Sequence, residues 1–207
     1  MTMTSLKPLF MLVVGLGITT AFTLPEKPAA TYTVDAEQST VRWTGKKVTG
    51  QHNGVINVQE GTLEVDGSQL SGGRFLIDMS SLTNEDLEGE DKAKLEGHLR
   101  SDDFFGVENY PTAELVITQV TPQEGDQYTI TGDLTIKGTT HPIEFPATVN
   151  VQDDQVTAEA TLTVDRTQYD VRYGSSSFFD NLGDKVIYDD FDIDVSLVAT
   201  SSASASK

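Results

Sequence analysis

The sequence predicts an all-β protein, and within that class an eight-stranded antiparallel barrel of up-and-down topology is the first choice. From Tyr32 onward apolar residues recur at every second position, the spacing of strand residues that share one face. Short turns rich in Gly and Asp separate these runs, and such tight links join only antiparallel neighbours. The runs number about eight, enough for a barrel to close around side chains or one ligand. A β-sandwich is the alternative.

Composition excludes several classes of protein. The chain has 207 residues, 37% of them hydrophobic and 22% charged, which is typical of a globular protein and not of a disordered one. Its 14 Lys and Arg stand against 32 Asp and Glu, a net charge of -18, so a nucleic-acid partner is not expected. The absence of cysteine rules out disulfides, thiolate nucleophiles and cysteine-ligated metals.

The amino terminus has the pattern of a secretory signal peptide. Lys7 precedes the apolar run 9–18 and a small-residue stretch that ends near Ala21, so residues 1–21 are predicted to be removed. The run is too short for a membrane-spanning helix, and no integral span is expected after removal. We therefore predict a periplasmic or secreted protein, with a linker over 22–30, one barrel domain over 31–200 and a disordered tail over 201–207.

The strands follow in order along the chain. Val41 and Trp43 begin the first long run, and in the next one the apolar phase slips, which predicts a bulge near residues 59–61. The inward-facing positions of the later runs are Phe75, Ile77 and Met79; Ala113, Leu115 and Ile117; Tyr128, Ile130, Leu134 and Ile136; Ile143, Phe145, Ala147, Val149 and Val151; Val156, Ala158, Ala160, Leu162 and Val164; and Phe191, Ile193, Val195 and Leu197.

Two segments interrupt the strand rhythm. Residues 84–105 contain good helix formers and predict a short helix, interrupted by glycines, across one end of the barrel. Residues 166–185 carry four aromatic side chains and are long enough for a functional loop or lid. There are two aromatic doublets, Phe104–Phe105 and Phe178–Phe179. Each of them either closes an apolar cavity or packs as an ordinary part of the core.

No catalytic or metal site is predicted, and no cofactor is expected. His52, His98 and His141 lack metal-ligand spacing, and the Asp190, Asp192 and Asp194 series lacks the Gly and Glu of a calcium loop. A serine-hydrolase elbow is also missing. His98 with nearby carboxylates leaves open an alternative, a hydrolase acting inside the barrel.

Several motifs in sequence order resemble the YceI-like family of exported polyisoprenoid- or lipid-binding proteins. The most specific is residues 98–105 (HLRSDDFF) followed by 110–113 (YPTA). The others are 32–35 (YTVD) with 39–43 (STVRW), 132–143 (GDLTIKGTTHPI) and 165–169 (DRTQY).

The resemblance implies a lipocalin-like eight-stranded antiparallel barrel with a short helix at one end. It also implies a long apolar cavity that accepts an isoprenoid or other amphipathic lipid. The side chains then expected to line this cavity are Trp43, Phe75, Ile77, Leu115, Ile117, Tyr128, Ile130, Phe145, Leu162 and Ile193. Phe104, Phe178 and Phe179 are expected to close it.

Three further points stay open at this stage. Arg166 and Arg172 are assigned either to a polar head group or to ordinary ion pairs. A structural or interaction module with a solid barrel remains an alternative, since solid and hollow barrels both place apolar residues inward. The oligomeric state is not readable from the sequence.

Overall fold

A computed structural model describes residues 29–152 and 154–201. The predicted signal peptide, most of the predicted linker and residues 202–207 lie outside this part of the chain. Within it, no helix has both the length and the apolar character needed to cross a membrane. The elements are β1 (Ala30–Val34), β2 (Thr40–Lys47), β3 (Gly50–Asp66), β4 (Gln69–Asn84), α1 (Gly89–Arg100), β5 (Thr112–Pro122), β6 (Gln127–Ile136), β7 (Thr139–Val151), β8 (Gln155–Asp165) and β9 (Ile187–Ser201).

The strands form one closed antiparallel barrel. The order β3-β2-β9-β8-β7-β6-β5-β4 returns to β3 through the β3–β4 pairing, so eight positions complete the circle. β1 pairs with β3 and β9 at the end of the barrel that β2 does not reach. β1 and β2 thus fill one position end to end, which reconciles nine described strands with the predicted eight-stranded barrel.

The bulge predicted near residues 59–61 is present. Val58 pairs with Ile77 and Glu60 pairs with Leu76, so Gln59 is the extra residue on β3. The bulge shifts the inward face from even to odd positions, which keeps the apolar side chains of this strand inside.

Two glycines fit places that other residues would not. The β6–β7 turn consists of Lys137 and Gly138, both with positive φ (51° and 74°), a backbone conformation that suits a two-residue hairpin loop. At Gly54, a Cβ atom would come within 1.8 Å of the Thr83 carbonyl oxygen and 2.7 Å of the Trp43 ring. Gly54 therefore permits the close approach of β3 to β4 beneath the indole.

Helix α1 lies within the segment predicted to be helical and is fastened to the end of β4. The Glu96 carboxylate accepts hydrogen bonds from the Thr83 hydroxyl (2.7 Å) and the Asn84 backbone N–H (2.8 Å). These two bonds hold the pKa of Glu96 below its ordinary value, and the bond from the Asn84 N–H has the larger effect. Arg100 donates to the Leu82 carbonyl oxygen. Leu95 and Leu99 are thereby held over one end of the barrel.

Candidate functional site

The inward faces of the strands enclose a cavity of about 530 Å³. Its wall is almost entirely aliphatic and aromatic, because the period-two pattern of every strand turns apolar side chains inward. The volume lies within the range of small-molecule binding pockets. The interior is hollow, so the solid-barrel alternative does not describe this protein.

Most of the side chains predicted to line a cavity do so. They are Trp43, Phe75, Ile77, Phe104, Leu115, Ile117, Ile130, Phe145, Leu162, Arg166 and Ile193. Whether they contact a ligand stays a prediction. Trp43 is fixed by a hydrogen bond from its indole N–H to the Thr83 carbonyl oxygen (3.2 Å).

Side-chain exposure shows where the barrel is hollow and where it is solid. Inward-facing Leu115, Ile117 and Ile193 are only partly buried although they point away from bulk solvent. Near the β3–β4 and β7–β8 turns, in contrast, Val65 is 1% exposed and Val156 is 0% exposed. The cavity therefore has a tightly packed floor at the end that carries the β3–β4, β5–β6 and β7–β8 turns.

Tyr128 belongs to this floor and not to the cavity wall. It is 7% exposed and does not line the cavity. It lies on the same face of β6 as Ile130, two residues nearer the β5–β6 turn. The predicted lining role was wrong because alternation identifies the face of a strand but not the depth along the barrel.

Apart from Glu159 on β8, the charged and polar groups that line the cavity lie near its other end, which forms the mouth. They come from the β2–β3 hairpin, from α1 and from the segment before and at the start of β9: Lys46, Lys47, His52, His98, Tyr173, Asp184, Lys185, Tyr188 and Asp190. The Lys46 ammonium pairs with Asp192 (2.6 Å), and this hydrogen bond raises the pKa of Lys46. His52 Nδ1 lies 2.8 Å from Asp86 Oδ2. A ligand here meets an apolar chamber below a polar mouth.

Arg166 organises the long loop that follows β8. Its side chain is 2% exposed and donates to the carbonyl oxygens of Tyr188 (3.0 Å), Val171 (2.7 Å) and Ile187 (3.0 Å). It also lies 3.5 Å from Asp189 Oδ1 and 5.6 Å from the centre of the Phe104 ring. Burial lowers the pKa of Arg166, while Asp189 and Asp165 raise it. These contacts give the guanidinium a structural role, and contact with a head group stays a prediction.

Phe178 and Phe179 lie elsewhere than predicted, and Arg172 lies beside them. The two phenylalanines are 45% and 50% exposed and do not line the cavity, because a turn closed by hydrogen bonds to the Ser175 carbonyl oxygen directs them outward. Arg172 pairs with Asp170 (2.8 Å) and stacks on the Phe178 ring. Phe178 and Phe179 thus do not close the cavity, whereas Arg172 forms the ion pair that the sequence left open, and its contact with a head group stays a prediction.

His98 is held by aromatic rings and not by carboxylates. Its ring centre lies 4.4 Å from that of Tyr173 and 5.5 Å from that of Phe104, both edge-on. No hydrogen bond or ion pair joins its ring to a carboxylate within the described ranges. In the same ranges no cluster of His, Asp and Glu has the geometry to hold a metal ion.

Sequence reasoning missed several wall residues. Leu82, Leu95 and Leu99 close the mouth end beside α1. Ala158 and Ala160 were predicted to face inward, but the open space that their small side chains leave in the β8 wall was not predicted. Gly45 is the most informative omission, because it lines the cavity and a Cβ placed on it would meet nothing within 4 Å. A glycine among the inward positions of a strand was the available signal.

The comparisons with known proteins agree with this architecture. The crystal structure of BcnA from Burkholderia cenocepacia superposes with a TM-score of 0.65 at 24% identity, covering 81% of this chain and 99% of that one. A polyisoprenoid binding domain from Saccharophagus degradans, implicated in plant cell wall breakdown, superposes with a TM-score of 0.61 at 15% identity, covering 83% and 99%. These likenesses show the shared fold.

Sequence relatives match over shorter stretches. A UPF0312 protein of Photorhabdus laumondii is 47% identical over 51 residues, 25% of this chain and 26% of that protein. A UPF0312 protein of Shewanella denitrificans is 31% identical over 94 residues, 45% of this chain and 47% of that protein. The matched part thus spans less than half of each relative. The sequence model of the YceI-like domain, in contrast, matches residues 32–199. Since this range includes most of the chain, the protein belongs to the YceI-like domain family.

Proposed function

We propose that this protein is an exported, non-enzymatic binding protein that holds the tail of an isoprenoid-type or other amphipathic lipid inside the barrel, as a carrier or by sequestration. The observation that carries the proposal is the apolar cavity of about 530 Å³, closed at its floor and lined by polar groups mainly near its mouth. A chamber of this kind matches a molecule with an apolar tail and a polar head.

The driving force is the removal of apolar surface from water. Each Å² of tail surface that leaves water contributes about 25 cal/mol. Because the cavity has a limited volume of about 530 Å³, a tail that exceeds it would have to extend through the mouth.

Two further observations support the proposal. The structurally similar domain of Saccharophagus degradans is described as polyisoprenoid binding. The apolar run 9–18 with its preceding Lys7 has the pattern of an export signal, which supports a carrier that acts outside the cytoplasm.

The single tryptophan provides a direct test. Trp43 is the one Trp of the chain and lines the cavity, so its fluorescence reports on occupancy. Titration with geraniol, farnesol and geranylgeraniol should give an affinity that rises with tail length and stops rising once the cavity is full. Equal affinity for all three alcohols, or no change in fluorescence with any of them, would contradict the proposal.

Substitution of the wall gives an independent check. Phe145→Ala removes an inward aromatic ring and should weaken binding of geranylgeraniol by about fivefold, the equivalent of about 1 kcal/mol. Trp43→Ala, followed by calorimetry, should weaken it similarly. An unchanged affinity in both folded variants would show that these side chains do not line the ligand site.

A further inference from the structure

Five large apolar or aromatic side chains are exposed at the mouth end of the barrel. Val48 is 50% exposed, Tyr173 47%, Phe178 45%, Phe179 50% and Tyr188 49%. We name these five residues the rim patch. Among the described residues only one other large hydrophobic side chain, Tyr110, is comparably exposed.

The rim patch is continuous with the cavity. Tyr173 and Tyr188 belong both to the patch and to the cavity lining. Val48, at the tip of the β2–β3 hairpin, donates its backbone N–H to the Val186 carbonyl oxygen (3.2 Å), which joins the hairpin to the segment before β9. Tyr173 and Tyr188 therefore connect the cavity lining to the outside, between the charged groups of the mouth.

The exposure of Phe178 and Phe179 is built into a fixed turn. Their backbone N–H groups both donate to the Ser175 carbonyl oxygen (3.2 and 3.0 Å), and the Ser175 residue is 0% exposed. The Ser177 hydroxyl donates to Asp189 Oδ2 (2.6 Å), and the Asp189 carboxylate also pairs with the buried Arg166. The turn thus presents two adjacent phenyl rings to solvent, which is unfavourable in water alone.

Charge is distributed in a way that fits the same surface. Segments 46–48 and 166–190, which carry the rim patch, contain five cationic and five acidic side chains, so the net charge of -18 lies entirely elsewhere in the chain. The mouth end is therefore the part of this acidic protein that approaches other surfaces with least electrostatic repulsion.

We propose that the rim patch docks the mouth of the barrel onto the interface of a lipid bilayer, with Phe178 and Phe179 inserted at the level of the head groups. Aromatic side chains favour this region because it is apolar on one side and wet on the other. A tail leaving the bilayer then enters the cavity without crossing water. This inference builds on the proposed lipid-binding function, and its test reads docking separately from binding.

The test is flotation with vesicles of phosphatidylcholine. The double variant Phe178→Ser with Phe179→Ser should lose about tenfold or more of its partition onto the vesicles. Binding of farnesol, read from Trp43 fluorescence, should not change, since neither phenylalanine lines the cavity. The matched control is Tyr110→Ser, an exposed aromatic beside the Lys137–Gly138 turn at the same end of the barrel but outside the rim patch, and it should float like the unmodified protein.

The dependence of vesicle binding on lipid charge provides a second test, and the proposal predicts its direction. Adding anionic phosphatidylglycerol should weaken the partition, and salt should restore it, because the remainder of the protein is strongly acidic. Stronger binding to anionic vesicles would overturn the assignment to aromatic insertion. Equal flotation of the double variant and the unmodified protein, or no flotation of either, would overturn docking itself.

A second copy of the chain is the competing occupant of the patch. Sedimentation equilibrium should show a monomer at concentrations where vesicles bind. A dimer that the double variant no longer forms would assign the rim patch to self-association and contradict the proposal. A protein that floats yet binds no prenyl alcohol would leave docking intact and refute the proposed function.

Discussion

Ala160→Phe tests directly whether the barrel is hollow. Ala160 faces inward on β8, opposite Ala147 and Val195, and lines the cavity. A phenyl ring at this position enters open space, so the free energy of unfolding should stay the same or rise. In a solid core the same change would overpack and cost about 1–3 kcal/mol.

The same substitution should weaken ligand binding in a calculable way. The ring adds roughly 100 Å³ of side chain at interior packing density, and this volume is taken from the cavity that Ala160 lines. At about 30 Å³ each, this displaces three methylene groups of a tail that fills the chamber. At about 0.8 kcal/mol per methylene the loss is about 2.4 kcal/mol, or roughly fiftyfold in Kd for geranylgeraniol.

Val156→Phe is the matched control. Val156 lies on the same strand and the same face as Ala160, but it is 0% exposed and belongs to the floor. Urea unfolding should show this variant destabilised by about 1–3 kcal/mol while Ala160→Phe is not. Equal destabilisation of the two variants, or a geranylgeraniol affinity that Ala160→Phe leaves unchanged, would refute the reasoning.

Three further predictions concern the mouth, the helix and the loop. Gly45→Phe places a ring where a Cβ meets nothing within 4 Å, and stopped-flow Trp43 fluorescence should show slower ligand association; an unchanged rate would mean that tails enter elsewhere. Because the pKa of Glu96 is lowered in the folded protein, its stabilisation is present above the ordinary value of 4.5 and is lost as the pH falls through the lowered value. Glu96→Gln should therefore cost about 2 kcal/mol in urea unfolding at neutral pH and progressively less as the pH falls through the lowered pKa, whereas a cost that does not change with pH would contradict the assignment. Arg166→Met should destabilise the protein by about 3 kcal/mol, since three carbonyl oxygens lose their donor, and a loss below about 1 kcal/mol would contradict its structural role.

The strand pattern was readable from the sequence because it follows from backbone geometry. Successive side chains of a strand alternate between faces, so the positions of Trp43, Phe75 and Ile130 already identified the inner surface. The slip of phase after Val58 likewise required an extra residue, and the structure places it at Gln59.

What the sequence did not predict depends on contacts between distant residues. Alternation gives the same pattern for Tyr128 in the floor and for Ile130 in the cavity wall, because depth depends on how neighbouring strands are staggered. The outward direction of Phe178 is likewise set by the Ser175 turn and its anchor on Asp189, which are tertiary hydrogen bonds.

The central claim, an apolar chamber that carries a lipid tail, is tested most directly by native mass spectrometry of the protein purified from the envelope of its own cell. The account predicts a mass above that of the polypeptide, with an extractable adduct that carries an apolar tail. The bare polypeptide mass, together with a Trp43 fluorescence that no added prenyl alcohol alters, would contradict it.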